Sequence, residues 1–235
     1  MITCSICKSE NDQYSTICKT CGSFLQNRIP NLDLFSTLWK IIERPRNAFQ
    51  IITLAEHKNY ALFLNILFGI SLSFIGFWLW RIGDKYENFL PLIFSALLFG
   101  ILYGCIICIL LTCWHWTLTK VFNGKTNYKI SLGITSYAFL PAILSFVFIL
   151  PVKLLTFGMF LFSFNPHPYT IKPIIYIILI GCDGILFLWS LLLIIYGTYI
   201  GTQLSIWKSI IIGITTYSIP ILGLIYGGEY VSRFV

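Results

Sequence analysis

Four cysteines in two short pairs, Cys4-Ser-Ile-Cys7 and Cys18-Lys-Thr-Cys21, are the residues of this chain best placed to do chemistry. Each pair forms a tight knuckle that presents two thiolates to one ion, and Gly22 permits the turn after the second. The ten residues between the pairs suffice for a minimal ribbon. Four thiolates complete a tetrahedral shell and leave no position for water, so the expected cofactor is one structural Zn2+ held by Cys4, Cys7, Cys18 and Cys21. So short a segment has almost no apolar core, and metal binding would supply most of its folding free energy. A disulfide or redox pair is the competing use. The other four cysteines, Cys105, Cys108, Cys113 and Cys182, lie in apolar runs and read as packing residues.

Asp183, in Gly181-Cys-Asp-Gly184, is the one carboxylate well inside an apolar stretch. An acid at membrane depth is costly and therefore a functional candidate. Lys153 or Lys172 is expected within its reach. The simpler role is a paired acid that holds helices together. His115, between Trp114 and Trp116, reads as an interfacial histidine rather than a proton relay. With 3 histidines, 9 acids, and neither a Walker loop, G-x-S-x-G nor H-E-x-x-H, the chain carries no catalytic constellation, and a non-enzyme is expected.

The elements that position these residues are written for lipid. Hydrophobic residues make up 57% and charged residues 11% of the 235, and mean hydropathy is +0.82, which excludes an ordinary soluble domain. A membrane helix needs about 20 apolar residues. Five stretches qualify: 60–80, 89–119, 130–152 (bent near Pro141), 174–199 and 209–228. Residues 154–164 are apolar but too few to cross alone, and read as an interfacial or extended piece. The expected fold is an all-α membrane protein of five transmembrane helices with a small zinc-ribbon head. It divides into residues 1–27 (ribbon), 28–59 (linker and amphipathic helix) and 60–235 (membrane domain).

The formal charge of +7 does not point to nucleic acid, because the basic residues concentrate in the head and short loops, where they orient the chain against anionic lipid. Eleven Lys and Arg (Lys8, Lys19, Arg28, Lys40, Arg44, Arg46, Lys58, Lys120, Lys125, Lys129, Lys208) fall on one side and five (Arg81, Lys85, Lys153, Lys172, Arg233) on the other. The positive-inside rule then puts the head in the cytoplasm and the C-terminus outside or in a lumen. A reducing compartment would also keep the four thiols free for metal. The first twenty residues are polar and lack the apolar core of a secretory signal, so the first membrane helix is expected to direct insertion.

Ahead of the first span, Phe35, Leu38, Ile42, Phe49 and Ile52 recur at helical spacing, with Trp39 beside them and Lys40, Arg44 and Arg46 largely elsewhere. Such a helix lies in the interface plane or packs on the ends of the bundle. Pro45 should divide it. Three G-x-x-x-G spacings, Gly100/Gly104, Gly197/Gly201 and Gly223/Gly227, allow close helix approach, for compact packing or for self-association as a homo-oligomer.

The Pro-containing run 35–52, Gly133-Ile-Thr-Ser-Tyr137-Ala-Phe-Leu-Pro141, Trp189-Ser-Leu with Gly197, and Ser205-Ile-Trp-Lys208-Ser209 together resemble a Yip1 domain, over about residues 35–230. The resemblance implies five membrane helices and a cytoplasmic N-terminus. Eukaryotic members are associated with Golgi and endoplasmic reticulum trafficking and with Rab GTPases, but the Asp-Leu-Tyr-Gly-Pro segment that goes with that role is absent here. A Cys4 ribbon ahead of such a domain is similar to prokaryotic members, which implies a prokaryotic cytoplasmic membrane. The expected function is a non-enzymatic scaffold that organises protein partners or lipid through its cytoplasmic head and helix. The alternative is a small-solute or ion transporter with Asp183 on the pathway, and a membrane-bound metal sensor is a third option.

Overall fold

The computed structural model describes residues 2–11, 15–25 and 31–234, with side chains described as far as residue 227. Arg28, the side chain of Arg233 and the boundary expected at residue 27 lie outside the described residues. Two strands, β1 (Ile2–Thr3) and β2 (Glu10–Asn11), pair antiparallel in the head, and an isolated bridge joins Ile17 to Phe24. All other regular structure among the described residues is helical: α1 Leu34–Glu43, α2 Pro45–Leu54, α3 Ala61–Leu79, α4 Phe89–Val121, α5 Tyr128–Ala138, α6 Leu140–Leu144, α7 Leu150–Phe157, α8 Pro168–Ile171, α9 Pro173–Thr202 and α10 Ile206–Phe234, with short 3-10 and π turns between some of them.

Five of these helical units are long and apolar enough to cross a membrane: Ala61–Leu79, Phe89–Val121, Leu140–Phe162, Pro173–Thr202 and Ile206–Gly227. At 1.5 Å per residue, the 19 residues of α3 rise about 28 Å, close to the ~30 Å of a hydrocarbon core.

The third span differs most from a plain helix. Pro141 and Pro151 each occupy the first turn of a new helical segment, where a missing N–H costs nothing. Between α6 and α7 the chain adopts a π-helical turn, Ser145–Ile149. Residues 154–164 extend α7 to Phe157, then turn at Gly158 (φ +54°) into a 3-10 segment, Gly158–Phe162, that buries Leu161 and Phe162.

Helix approach is closest where glycines meet backbone. A Cβ on Gly104 would lie 2.7 Å from Asn65 O and Ile66 Cα, and one on Gly100 would lie 2.5 Å from Ile70 Cα. Gly69 faces the same seam, so α3 and α4 touch main chain to main chain.

The amphipathic run divides at Pro45, and its two halves have different fates. Asp33 caps α1, its Oδ1 accepting from Ser36 N at 2.7 Å. α2 sits on glycines of α5 and α9. Phe49 Cε1 is 2.6 Å from where a Gly197 Cβ would be, Thr53 Cγ2 is 2.9 Å from that of Gly201, and Ile52 Cγ2 is 2.9 Å from that of Gly133. Phe49, counted with the interfacial residues, is therefore fully buried in the bundle. Lys58 closes the end of α2 by donating to the carbonyls of Ile52 and Ala55. Burial pushes its ammonium down to about 8, and neighbouring Lys129 adds to the shift.

His115, read from its flanking tryptophans as an interfacial histidine, is fully buried between α4, α5 and α9. Its Nδ1 lies 3.1 Å from Ser131 Oγ of α5 and its Nε2 2.9 Å from Thr198 Oγ1 of α9. Helix α4 continues past the Trp pair to Val121, so what reads as an exit is one turn short of the end. A buried imidazole with both nitrogens bonded fixes three helices to one another.

Candidate functional site

The head is built from two copies of one small device. In each, the first cysteine of the pair accepts from a backbone N–H four residues on: Lys8 N to Cys4 O and Gly22 N to Cys18 O, both at 3.0 Å. The first cysteine also donates its own N–H to a serine carbonyl, Cys4 to Ser9 (3.0 Å) and Cys18 to Ser23 (2.8 Å). The fourth position needs a left-handed backbone, supplied by Lys8 (φ 56°) in one copy and Gly22 (φ 71°) in the other. The β1–β2 pairing brackets the first knuckle, and the Ile17–Phe24 bridge brackets the second.

This arrangement brings the four sulfurs together within 4.8 Å of one another. Cys4 Sγ is 3.6 Å from Cys21 Sγ, and Cys7 Sγ is 3.5 Å from Cys18 Sγ. The edge of a tetrahedron built on Zn–S bonds of about 2.3 Å is about 3.8 Å, close to these two separations, so the cluster could hold a single ion.

The sulfurs are also surrounded by donors that the cysteine spacing does not announce. Ser9 Oγ lies 3.0 Å from Cys7 Sγ and 3.1 Å from Cys18 Sγ. Ser23 Oγ lies 2.9 Å from Cys4 Sγ and 3.0 Å from Cys21 Sγ. Asn11 sends Nδ2 toward Cys18 Sγ at 3.4 Å while its Oδ1 accepts from Lys19 N. The signal was present as a repeat, since a serine follows each second cysteine at the same offset. These contacts favour thiolates at Cys4 and Cys18, whereas the neighbouring sulfurs of Cys21 and Cys18 push the Cys7 thiol up. The Cys7 backbone and the Ser23 hydroxyl bring the Cys4 thiol down to about 7. The Ser9 hydroxyl and the Cys21 backbone bring Cys18 down to about 5. Chemically the site can hold a soft or borderline cation in a closed shell, with no position for substrate.

The second candidate lies in the membrane domain. Asp183 Oδ1 accepts from Ser145 Oγ at 2.6 Å, and its Oδ2 pairs with Lys153 Nζ. The pair is shielded, with side chains 12% (Lys153) and 18% (Asp183) exposed. Ser145 belongs to the π turn, which supplies the partner that a count of charges does not suggest. Lys172, the other expected cation, occupies the N-cap position of α9 and makes no side-chain capping bond there.

The third candidate is α1. Phe35 (81% exposed), Trp39 (66%) and Ile42 (44%) stand free, while Thr37 and Ile41 are buried and Leu38 packs on the core. Of the glycines, Gly100, Gly104, Gly197 and Gly201 make close contacts inside the chain, Gly223 lies against the Tyr103 hydroxyl, and among the described residues nothing lies within 4 Å of where a Gly227 Cβ would be.

Comparison with known proteins places this arrangement in context. The family model for the Yip1 domain matches residues 39–227, which includes α2 and all five membrane-length helices but not the cysteine head. No curated protein and no solved structure matches the chain.

Proposed function

The chain belongs to the Yip1 domain family and is an integral, multi-pass membrane protein; from that premise we propose that it is a non-enzymatic scaffold, which gathers protein partners through a zinc-loaded head held at the membrane surface. The observations that carry the proposal are the cluster of four cysteines, which could close a metal shell without leaving a position for substrate, and α1, which leaves Phe35 and Trp39 uncovered. Zn2+ is the ion, held by Cys4, Cys7, Cys18 and Cys21, because four thiolates on a tetrahedral edge suit it better than oxygen-seeking cations.

The uncovered face of α1 lies in the lipid headgroups, with Lys40 and Arg44 available to anionic lipid. The distribution of Lys and Arg supports a cytoplasmic head and an opposite C-terminus. Transport through Asp183 is the weaker reading, since that carboxylate is already neutralised by Lys153 and bonded by Ser145.

Proximity cross-linking from native membranes tests the scaffold. The intact chain should label a discrete partner set that disappears in Cys18→Ser/Cys21→Ser while the variant remains inserted. Identical neighbours for both would remove the head from partner binding.

A further inference from the structure

Each knuckle of the head is shaped locally, and local bonds alone do not bring the two together. Between described residues, the backbone bonds Lys8 N to Cys4 O and Cys4 N to Ser9 O close inside the first knuckle. Gly22 N to Cys18 O, Cys18 N to Ser23 O and Leu25 N to Thr16 O close inside the second. The β1–β2 pairing and the Ile17–Phe24 bridge are likewise internal to one knuckle each.

Side chains make the crossing. Ser9 follows the first pair, yet its Oγ lies 3.1 Å from Cys18 Sγ as well as 3.0 Å from Cys7 Sγ. Ser23 follows the second pair, and its Oγ lies 2.9 Å from Cys4 Sγ and 3.0 Å from Cys21 Sγ. The exchange is reciprocal, because the tail of either knuckle reaches the first cysteine of the other. Asn11 adds a third crossing, accepting from Lys19 N at 2.9 Å and directing Nδ2 to Cys18 Sγ.

These contacts fall where water cannot replace them. Cys4 and Cys18 are buried, whereas Cys7 is half-buried and Cys21 exposed. Four thiolates around one dication leave surplus negative charge on the sulfurs, and a buried sulfur can share it only with protein donors. A hydroxyl carries one proton, so Ser9 and Ser23 each donate to one thiolate at a time. The two copies are not equal, since Leu25 stands where the first copy has Asn11. Among side chains, Cys18 thus has two donors and Cys4 has only the Ser23 hydroxyl.

We propose that Ser9 and Ser23 are positioning residues of the metal centre. Their hydroxyls hold the knuckles at the spacing of one tetrahedral shell, donate to its thiolates, and so set how tightly the ion is kept. This rests on the reading that the head is loaded with metal.

Zn2+ affinity of the detergent-purified full chain, measured by competition with a chromogenic chelator, tests it. Outer-shell partners are worth about 10–100-fold in metal affinity, and Ser23→Ala should weaken binding at least tenfold. Ser9→Ala should weaken it less, because Asn11 still serves Cys18. Threonine at either position keeps the hydroxyl and should recover most of the loss. With Co2+ as the probe, both alanine variants should move the sulfur-to-metal charge-transfer band to longer wavelength, since a thiolate without its donor gives up an electron more readily. A loss of packing alone would lower occupancy without moving that band.

Alanine variants that hold Zn2+ as the parent does, or threonine variants as weak as the alanine ones, would overturn the proposal. An intact chain that takes up neither ion would remove the metal centre itself, a result distinct from a loaded parent matched by its variants. If Ser23→Ala does not load at all, the band position of Ser9→Ala still decides it.

Discussion

The two halves of α9 show how differently one helix can be used. Toward Thr202, its glycines are buttressed by α2 and α5, and its hydroxyls join a buried network in which Thr198 reaches His115. Toward Pro173, its glycines face space, and its one carboxylate stands at the wall of a cavity. The same residue type thus serves contact at one end and vacancy at the other. A glycine in a membrane helix says only that room has been left; the neighbours decide whether protein takes it.

The contrast is most easily broken at the packed seams. Gly104→Val puts methyl groups where the backbone of Asn65 and Ile66 already lies, and main chain cannot move aside as a side-chain tip can. The expected loss is about 3 kcal/mol, enough for a detergent-solubilised sample to lose its sharp thermal transition. The same substitution at Gly197 meets the ring of Phe49 and should detach α2, which limited proteolysis near residue 55 would detect.

At the open end, Asp183→Asn should cost about 3 kcal/mol by leaving the ammonium of Lys153 shielded without its counter-ion. The double variant Asp183→Asn/Lys153→Met should recover part of this loss, and a thermal double-mutant cycle measures how much. A simple sum of the two single losses would mean that the pair does not couple.

Thr198→Val takes the hydroxyl from His115 Nε2 and should lower bundle stability by about 1–2 kcal/mol. Gly181→Leu should stay within about 0.5 kcal/mol of the parent.

Acidification should leave the bundle melt almost unchanged while emptying the head. The thiols of Cys4 and Cys18 sit below their ordinary value of 9.0, at about 7 and about 5. Their contribution is complete above the unfolded value and is lost as pH falls through the lowered ones. Protons and metal compete for the same thiolates, so metal content, followed with a chromogenic chelator, should fall as pH is lowered.

Much of this was legible before any coordinates. The cysteine knuckles declare themselves by spacing, and the spans by length and lack of charge. The break at Pro45 follows from a ring with no N–H to give. Partners that arrive from distant segments were hidden. His115 looks interfacial because tryptophans flank it, and only the placement of Ser131 and Thr198 buries it. Phe35, Trp39 and Phe49 share one apolar stripe, yet only Phe49 meets a glycine groove, and that groove belongs to α9. The role of Ser145 depends on a π turn that sequence periodicity does not encode.

The seat of Phe49 also dictates an order of assembly. α2 is made before α5 and α9, so it can rest Ile52 on Gly133 but cannot complete its seat on Gly197 and Gly201 until the fourth membrane helix has been synthesised and placed beside α5. Closing that long loop late is slow compared with the local pairing of α3 and α4. A chain arrested before α9 would leave the ring of Phe49 without its groove, so exposure of that ring reports a bundle whose fourth membrane helix is not yet in place.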